Sequence, residues 1–222
     1  MRALTKIKPI HLMHTPEISQ DEKDLAIETI EDVLEIAGIK LRIEDLGVWR
    51  DKNYKNPDNT FAKHKSVDWY IDQWFDPERK QVNARKGIEQ LFNAFWIQEE
   101  QCYNVILTAR DLYAPGTNFV VGCAQSGIGA IISVRRFRHI PKEREVKKQE
   151  IYHEIGHMFG MPDRMRSCCI EESLGPHCTN VCAMRQGIYV PHDWIIFAED
   201  RKRTGQIYCS ACVSDMKKYF EE

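Results

Sequence analysis

The chain has 222 residues, which fits one domain or one domain with a small appendage. With 43% hydrophobic and 29% charged residues and a formal net charge of −2, it has the balance of an ordinary globular protein and no global reason to favour nucleic acid or an anionic membrane. No apolar run approaches the roughly 20 residues of a membrane span, and the start, Met1-Arg2-Ala3-Leu4-Thr5-Lys6, lacks the apolar core of a secretory signal. The expectation is a cytoplasmic protein.

Residues 18–37 predict an amphipathic helix with Ile27, Ile30, Leu34 and Ile36 on its buried stripe and Gly38 as its stop. Ile39 to Leu46 alternates apolar and charged residues, as a half-buried strand does. Residues 50–66 carry Asn53, Asn56, Pro57 and Asn59 and predict a surface loop. A second helix is expected over 83–98, with Ile88, Leu91, Phe92 and Phe95, followed by a short buried strand at Val105 to Leu107. Tyr113 to Gly116 reads as a turn, and Phe119 to Val121 and Ala130 to Val134 read as two more strands about the Gly127-Ile128-Gly129 bend. Pro141 then opens a charged helix that runs through residues 153–157.

This order predicts an α+β fold, a twisted mixed sheet flanked by helices, in a single domain over 1–222. Its N-terminal part, 1–160, holds the sheet and the last helix. The part from 161 to 222 is expected to be loop-rich and cysteine-rich, with a metal replacing missing core.

His153-Glu154-Ile155-Gly156-His157 is an H-E-x-x-H string. On a helix the two histidines lie on one face, one turn apart, and can grip one zinc ion from the same side, while Glu154 can reach a water at an open coordination position. Taken alone the motif recurs by chance, and two polar residues on an exposed helix are common. Gly160 and Asp163 strengthen it: glycine supplies the left-handed turn that ends a helix, and Asp163 follows three residues later as the expected third ligand. His177 is the alternative third ligand. Two histidines and a carboxylate also describe the facial triad of non-haem iron enzymes, a weaker reading.

Six of the eight cysteines crowd between 168 and 212. Cys178 and Cys182 form a C-x3-C pair and Cys209 and Cys212 a C-x2-C pair, together enough for a closed tetrahedral zinc site. Small buried hydrophobes are the blander reading. Cys168 and Cys169 are spare thiols or substitutes. Met184 suits a soft apolar floor beneath the imidazoles. The run Arg135-Arg136-Phe137-Arg138-His139 reads as the solvated end of a strand; no nucleic acid and no membrane is expected as a partner.

The whole pattern resembles the archaemetzincins, a branch of the metzincin zinc peptidases, whose motifs are H-E-x-x-H-x-x-G-x-x-H-C, C-x-M and C-x-x-C. The counterparts are His153 to Gly160, Cys182-Ala183-Met184 and Cys209-Ser210-Ala211-Cys212, with further likeness at Phe75 to Gln81, Asp111 to Gly116, Asn118 to Gly122 and Ala130 to Val134. The resemblance implies a metzincin-like domain with a catalytic and a structural zinc, a peptide or protein substrate, Glu154 as general base and acid, and Met184 in the Met-turn. The chain departs from the pattern in holding Asp163 where the family has histidine. The segment 164–176 is inserted before His177-Cys178, and the first cysteine pair is one residue shorter than the family's. Aligning His177-Cys178 with the family's His-Cys would make His177 the ligand; the Gly160 turn favours Asp163. A metzincin-shaped metal-binding protein without peptidase activity is the alternative function.

Overall fold

The computed structural model describes residues 6–48, 66–92, 101–172 and 174–221. Its centre is a five-stranded sheet of β1 (Ile10–His14), β2 (Ile43–Gly47), β5 (Tyr103–Thr108), β7 (Gly122–Gln125) and β8 (Gly129–Ser133), in the order β2-β1-β5-β8-β7. All neighbours are parallel except β7, which runs antiparallel to β8 at the edge. Every residue of β5 and of β8 is buried, as expected for strands covered on both faces.

Alternation along the strands divides the core. Leu12, Val105, Leu107, Ala130 and Ile132 face one cluster, which also takes Ala26, Ile30 and Val33 of α1 (Gln20–Ala37) and Ile151, Ile155 and Met158 of α4 (Glu143–Met158). Met13, Ile106 and Ile131 face the other, with Trp74, Val82 and Ile88. That second layer consists of α2 (Val67–Gln73), α3 (Ala84–Phe92) and a small sheet of β3 (Phe75–Asp76), β4 (Gln81–Asn83) and β6 (Leu112–Tyr113).

The helix α1 begins at a capping box, in which the Glu22 N–H donates to the Ser19 side chain and the Ser19 N–H to Glu22, and it ends at Gly38 with φ 72°. Glu22 then holds the charged start of α4. Lys147, 5% exposed at its side chain, donates to Glu22 at 2.7 Å, and Arg138 donates to the same carboxylate at 2.6 Å. Burial alone would raise the Glu22 pKa, but the hydrogen bonds from Arg138 and Lys147 overcome it and pull the pKa down to about 2. A helix with little sequence amphipathicity is thereby fixed in the interior, packed between α1, the sheet and α5 (His192–Thr204).

Several expectations need correction. Residues 161–222 are not mainly loop: they form a hairpin of β9 (Cys169–Glu172) and β10 (Gly175–Cys178), then α5 and α6 (Ser210–Glu221). Trp194 and Phe197 of α5 and Cys212 and Met216 of α6 are buried, so apolar contacts supply core here. Phe119 to Val121 is not a strand; only Val120 bridges to Leu112, and pairing with β8 starts at Gly122. The strand expected from Ile39 begins at Ile43. The expected loop lies outside the described residues up to 65, as does the second helix beyond 92. Among the described residues no helix is long and apolar enough to cross a membrane.

Candidate functional site

His153 and His157 lie one turn apart on α4, with their Nε2 atoms 3.1 Å apart. The third imidazole is His177 on β10. Its ring centroid is 5.2 Å from that of His153 and 5.2 Å from that of His157, and one ring nitrogen of each histidine falls within 4.8 Å of the others. The Nδ1 atoms contact backbone carbonyls: His153 at Ala183 O (2.9 Å), His157 at Met161 O (2.8 Å) and His177 at Gly175 O (2.9 Å). A carbonyl only accepts, so each Nδ1 carries the proton and each Nε2 keeps its lone pair. Burial, then the neighbouring imidazoles, lowers the pKa of His153 far below its ordinary value and that of His157 to about 3. Three neutral donors with their tautomers fixed from outside are what a divalent cation requires.

Asp163 is not in this group. Its Oδ1 accepts from the Met165 N–H at 2.9 Å, its Oδ2 lies 3.7 Å from Lys218 Nζ, and its own N–H donates to Asp215 at 2.9 Å. The turn at Gly160 (φ 79°) does not bring Asp163 to the two histidines; of the two expected third donors, His177 is the one that lies beside them. The inserted segment builds the β9–β10 hairpin, and its return strand carries His177 to the histidines of α4.

Glu154 is 5% exposed and its Oε2 has no hydrogen-bond partner among the described residues. It opens with the three histidines onto a cleft of about 1410 Å³. One turn earlier, Glu150 is 1% exposed and accepts from Trp194 Nε1 at 2.6 Å. Burial first, and the adjoining carboxyl second, raises the Glu154 pKa; burial lifts Glu150 to about 7. The two carboxyls press together against Gly122 of β7. A Cβ there would stand 2.5 Å from Glu154 Cγ and 2.6 Å from Glu150 Oε1. Glu150 and Trp194 were missed in the sequence, although the i, i+4 spacing of Glu150 and Glu154 was a signal. Met184 is fully buried beneath the motif: a Cβ on Gly156 would come within 2.2 Å of its Sδ.

The second group joins Cys178 and Cys182 to Cys209 and Cys212 at the start of α6, with all four sulfurs within 4.8 Å of one another. Cys178 Sγ is 3.7 Å from Cys209 Sγ, and Cys182 Sγ is 3.5 Å from Cys212 Sγ. The N–H groups of Asn180 and Met184 donate to Cys178 and Cys182, and Arg166 donates to Cys212 at 3.0 Å. Hydrogen bonds to its neighbours push the Cys212 thiol pKa up, since crowded sulfurs resist a second negative charge. A closed set of four sulfurs with N–H donors around it fits a structural zinc. Cys168 and Cys169 fall outside the set.

Fold and sites together join an H-E-x-x-H helix, a third histidine and a cluster of four cysteines, two groups whose side chains could each hold a metal ion. The chain is archaemetzincin-like. It is 27% identical over 137 residues to an archaemetzincin of Nanoarchaeum equitans, covering 57% of this chain and 76% of that protein. It is 32% identical over 114 residues to the archaemetzincin of Archaeoglobus fulgidus, covering 50% and 58%. No protein-family model matches. The crystal structure of the Methanopyrus kandleri archaemetzincin superposes with a TM-score of 0.63 at 22% identity, covering 100% of this chain and 99% of that one. A structure described as a zinc-dependent peptidase from Methanocorpusculum labreanum gives 0.59 at 20% identity, covering 93% and 99%. These two likenesses establish the fold.

Proposed function

We propose that this chain is a zinc-dependent metallopeptidase. The observation that carries the reading is the convergence of three Nε2 lone pairs, from His153, His157 and His177, beside the buried Glu154 on an open cleft. The names of its relatives, archaemetzincin and zinc-dependent peptidase, support it.

His153, His157 and His177 would hold a zinc ion, which would supply the Lewis acidity for a scissile carbonyl and an attacking water. Glu154 moves the protons. Its carboxylate takes one from the attacking water and delivers one to the leaving amine. Burial, and then the adjoining Glu150 carboxyl, raises its pKa, which favours the proton-holding form that it takes between the two transfers. Trp194 donates to Glu150, and Gly122 packs against both carboxyls, which holds the Glu150–Glu154 pair in place beside the cleft. A peptide or protein is the substrate.

A second zinc, held by Cys178, Cys182, Cys209 and Cys212, ties the start of α6 to the end of β10, giving two ions per chain in one domain whose parts meet at residue 160. A reduced four-thiol site suits a reducing compartment such as the cytoplasm.

Glu154→Gln tests the reading. The variant is expected to keep its zinc and to lose cleavage of a mixed peptide library by about 100-fold or more. Cleavage at the wild-type rate would contradict the role of Glu154. A zinc-loaded wild-type chain that cuts no peptide would favour a metal-binding protein without peptidase activity.

A further inference from the structure

We propose that Cys169 and Cys178 are an oxidation-sensitive cross-strand pair, at which a hydroperoxide makes a disulfide and withdraws Cys178 from the cysteine cluster. The register of the β9–β10 hairpin sets Cys169 directly opposite Cys178. The Thr179 N–H donates to Cys168 O at 3.0 Å, whereas the N–H groups of Cys178 and Cys169 turn away to Met184 O and Arg166 O. Cys169 and Cys178 therefore occupy a non-hydrogen-bonded position, where opposing Cα atoms approach to about 4.5 Å. That lies within the roughly 4.4–6.8 Å a disulfide spans, and directly opposed side chains share one face of the hairpin. Neither the register nor the spacing needs to change for the bond to form.

The two thiols differ in access. Cys178 is 2% exposed, while Cys169 is only partly buried and lies outside the four-sulfur group. Oxidant thus meets Cys169 first. Its sulfur attacks the peroxide O–O bond, giving a sulfenic acid and releasing an alcohol, or water in the case of hydrogen peroxide. The Cys178 sulfur then displaces water from the sulfenic acid to close the S–S bond. Two electrons pass from the sulfurs to the peroxide, and the two thiol protons leave in the water and alcohol. Cys182, Cys209 and Cys212 remain as three thiols, an incomplete tetrahedral set. The release of metal rests on the second-zinc reading; the crosslink does not.

The experiment treats the protein as isolated with a small excess of hydrogen peroxide. Non-reducing peptide mapping identifies the first disulfide, and a chromogenic chelator follows zinc release. The expected first product joins Cys169 to Cys178 and appears with one equivalent of zinc. Cys169→Ser and Cys169→Ala should both slow release about tenfold, while Cys168→Ser should leave it unchanged. A first disulfide within the four-cysteine set, or release from both Cys169 variants at the wild-type rate, would overturn the proposal. If the isolated protein carries no zinc at the cysteines, the second-zinc reading fails alone, and the mapped crosslink still decides for or against the Cys169–Cys178 pair.

Discussion

His177 and Cys178 are consecutive residues of β10, yet they serve different clusters. His177 turns its ring to within 5.2 Å of His153, and Cys178 sets its sulfur 3.7 Å from that of Cys209. Adjacent side chains of a strand point to opposite faces, so one short strand joins the two groups back to back. The hairpin must be in register for either group to form.

The third donor is tested by comparing two substitutions. His177→Ala is expected to lose the zinc of the histidine site, with affinity falling by at least about 100-fold. Asp163→Ala should keep that zinc, because Asp163 serves the Met165 N–H and Lys218. Isothermal titration with zinc on metal-free protein separates the outcomes. Metal lost from the Asp163 variant alone would reverse the assignment.

Gly122 is expected to tolerate no side chain. Its Cβ would overlap Glu154 and Glu150, and neither carboxyl can retreat into a packed helix face. Gly122→Ala should destabilise the fold by about 1–3 kcal/mol and turn Glu154 away from the cleft. Chemical denaturation and peptide cleavage measure the two effects. A variant matching wild type in both would show that the carboxyl pair yields easily.

Acid stability should carry the mark of Glu22. Its pKa is about 2 in the folded chain, against an ordinary value of 4.5. A depressed carboxyl pKa stabilises the fold above the ordinary value, and that stability is lost as pH falls from 4.5 through about 2. The shift corresponds to about 3 kcal/mol. Urea melts of wild type and Glu22→Gln should therefore differ most near neutrality and converge towards pH 2. A difference that stays constant over that range would contradict the ion-pair account.

What was legible in the sequence was local. The apolar stripe and the stop at Gly38 and the short apolar run from Ala130 are fixed by neighbours a few residues away, and the helix at α1 and the strand β8 follow them. The H-E-x-x-H string likewise needs only one helical turn. His177 depends on pairing across β9–β10, which the sequence between Asp163 and His177 does not advertise, so local spacing alone favours the nearer Asp163. The helices α5 and α6 went unread because their buried residues are few, Trp194, Phe197 and Ala198 in one and Cys212 and Met216 in the other. Trp194 in particular gains its meaning only from Glu150, more than 40 residues away.

The account stands most directly on where metal binds. Crystals of the zinc-loaded protein, measured on either side of the zinc absorption edge, should give two anomalous peaks per chain. One is expected among His153, His157 and His177, the other among Cys178, Cys182, Cys209 and Cys212. A peak that includes Asp163 and leaves His177 unligated, or no peak beside Glu154, would contradict it.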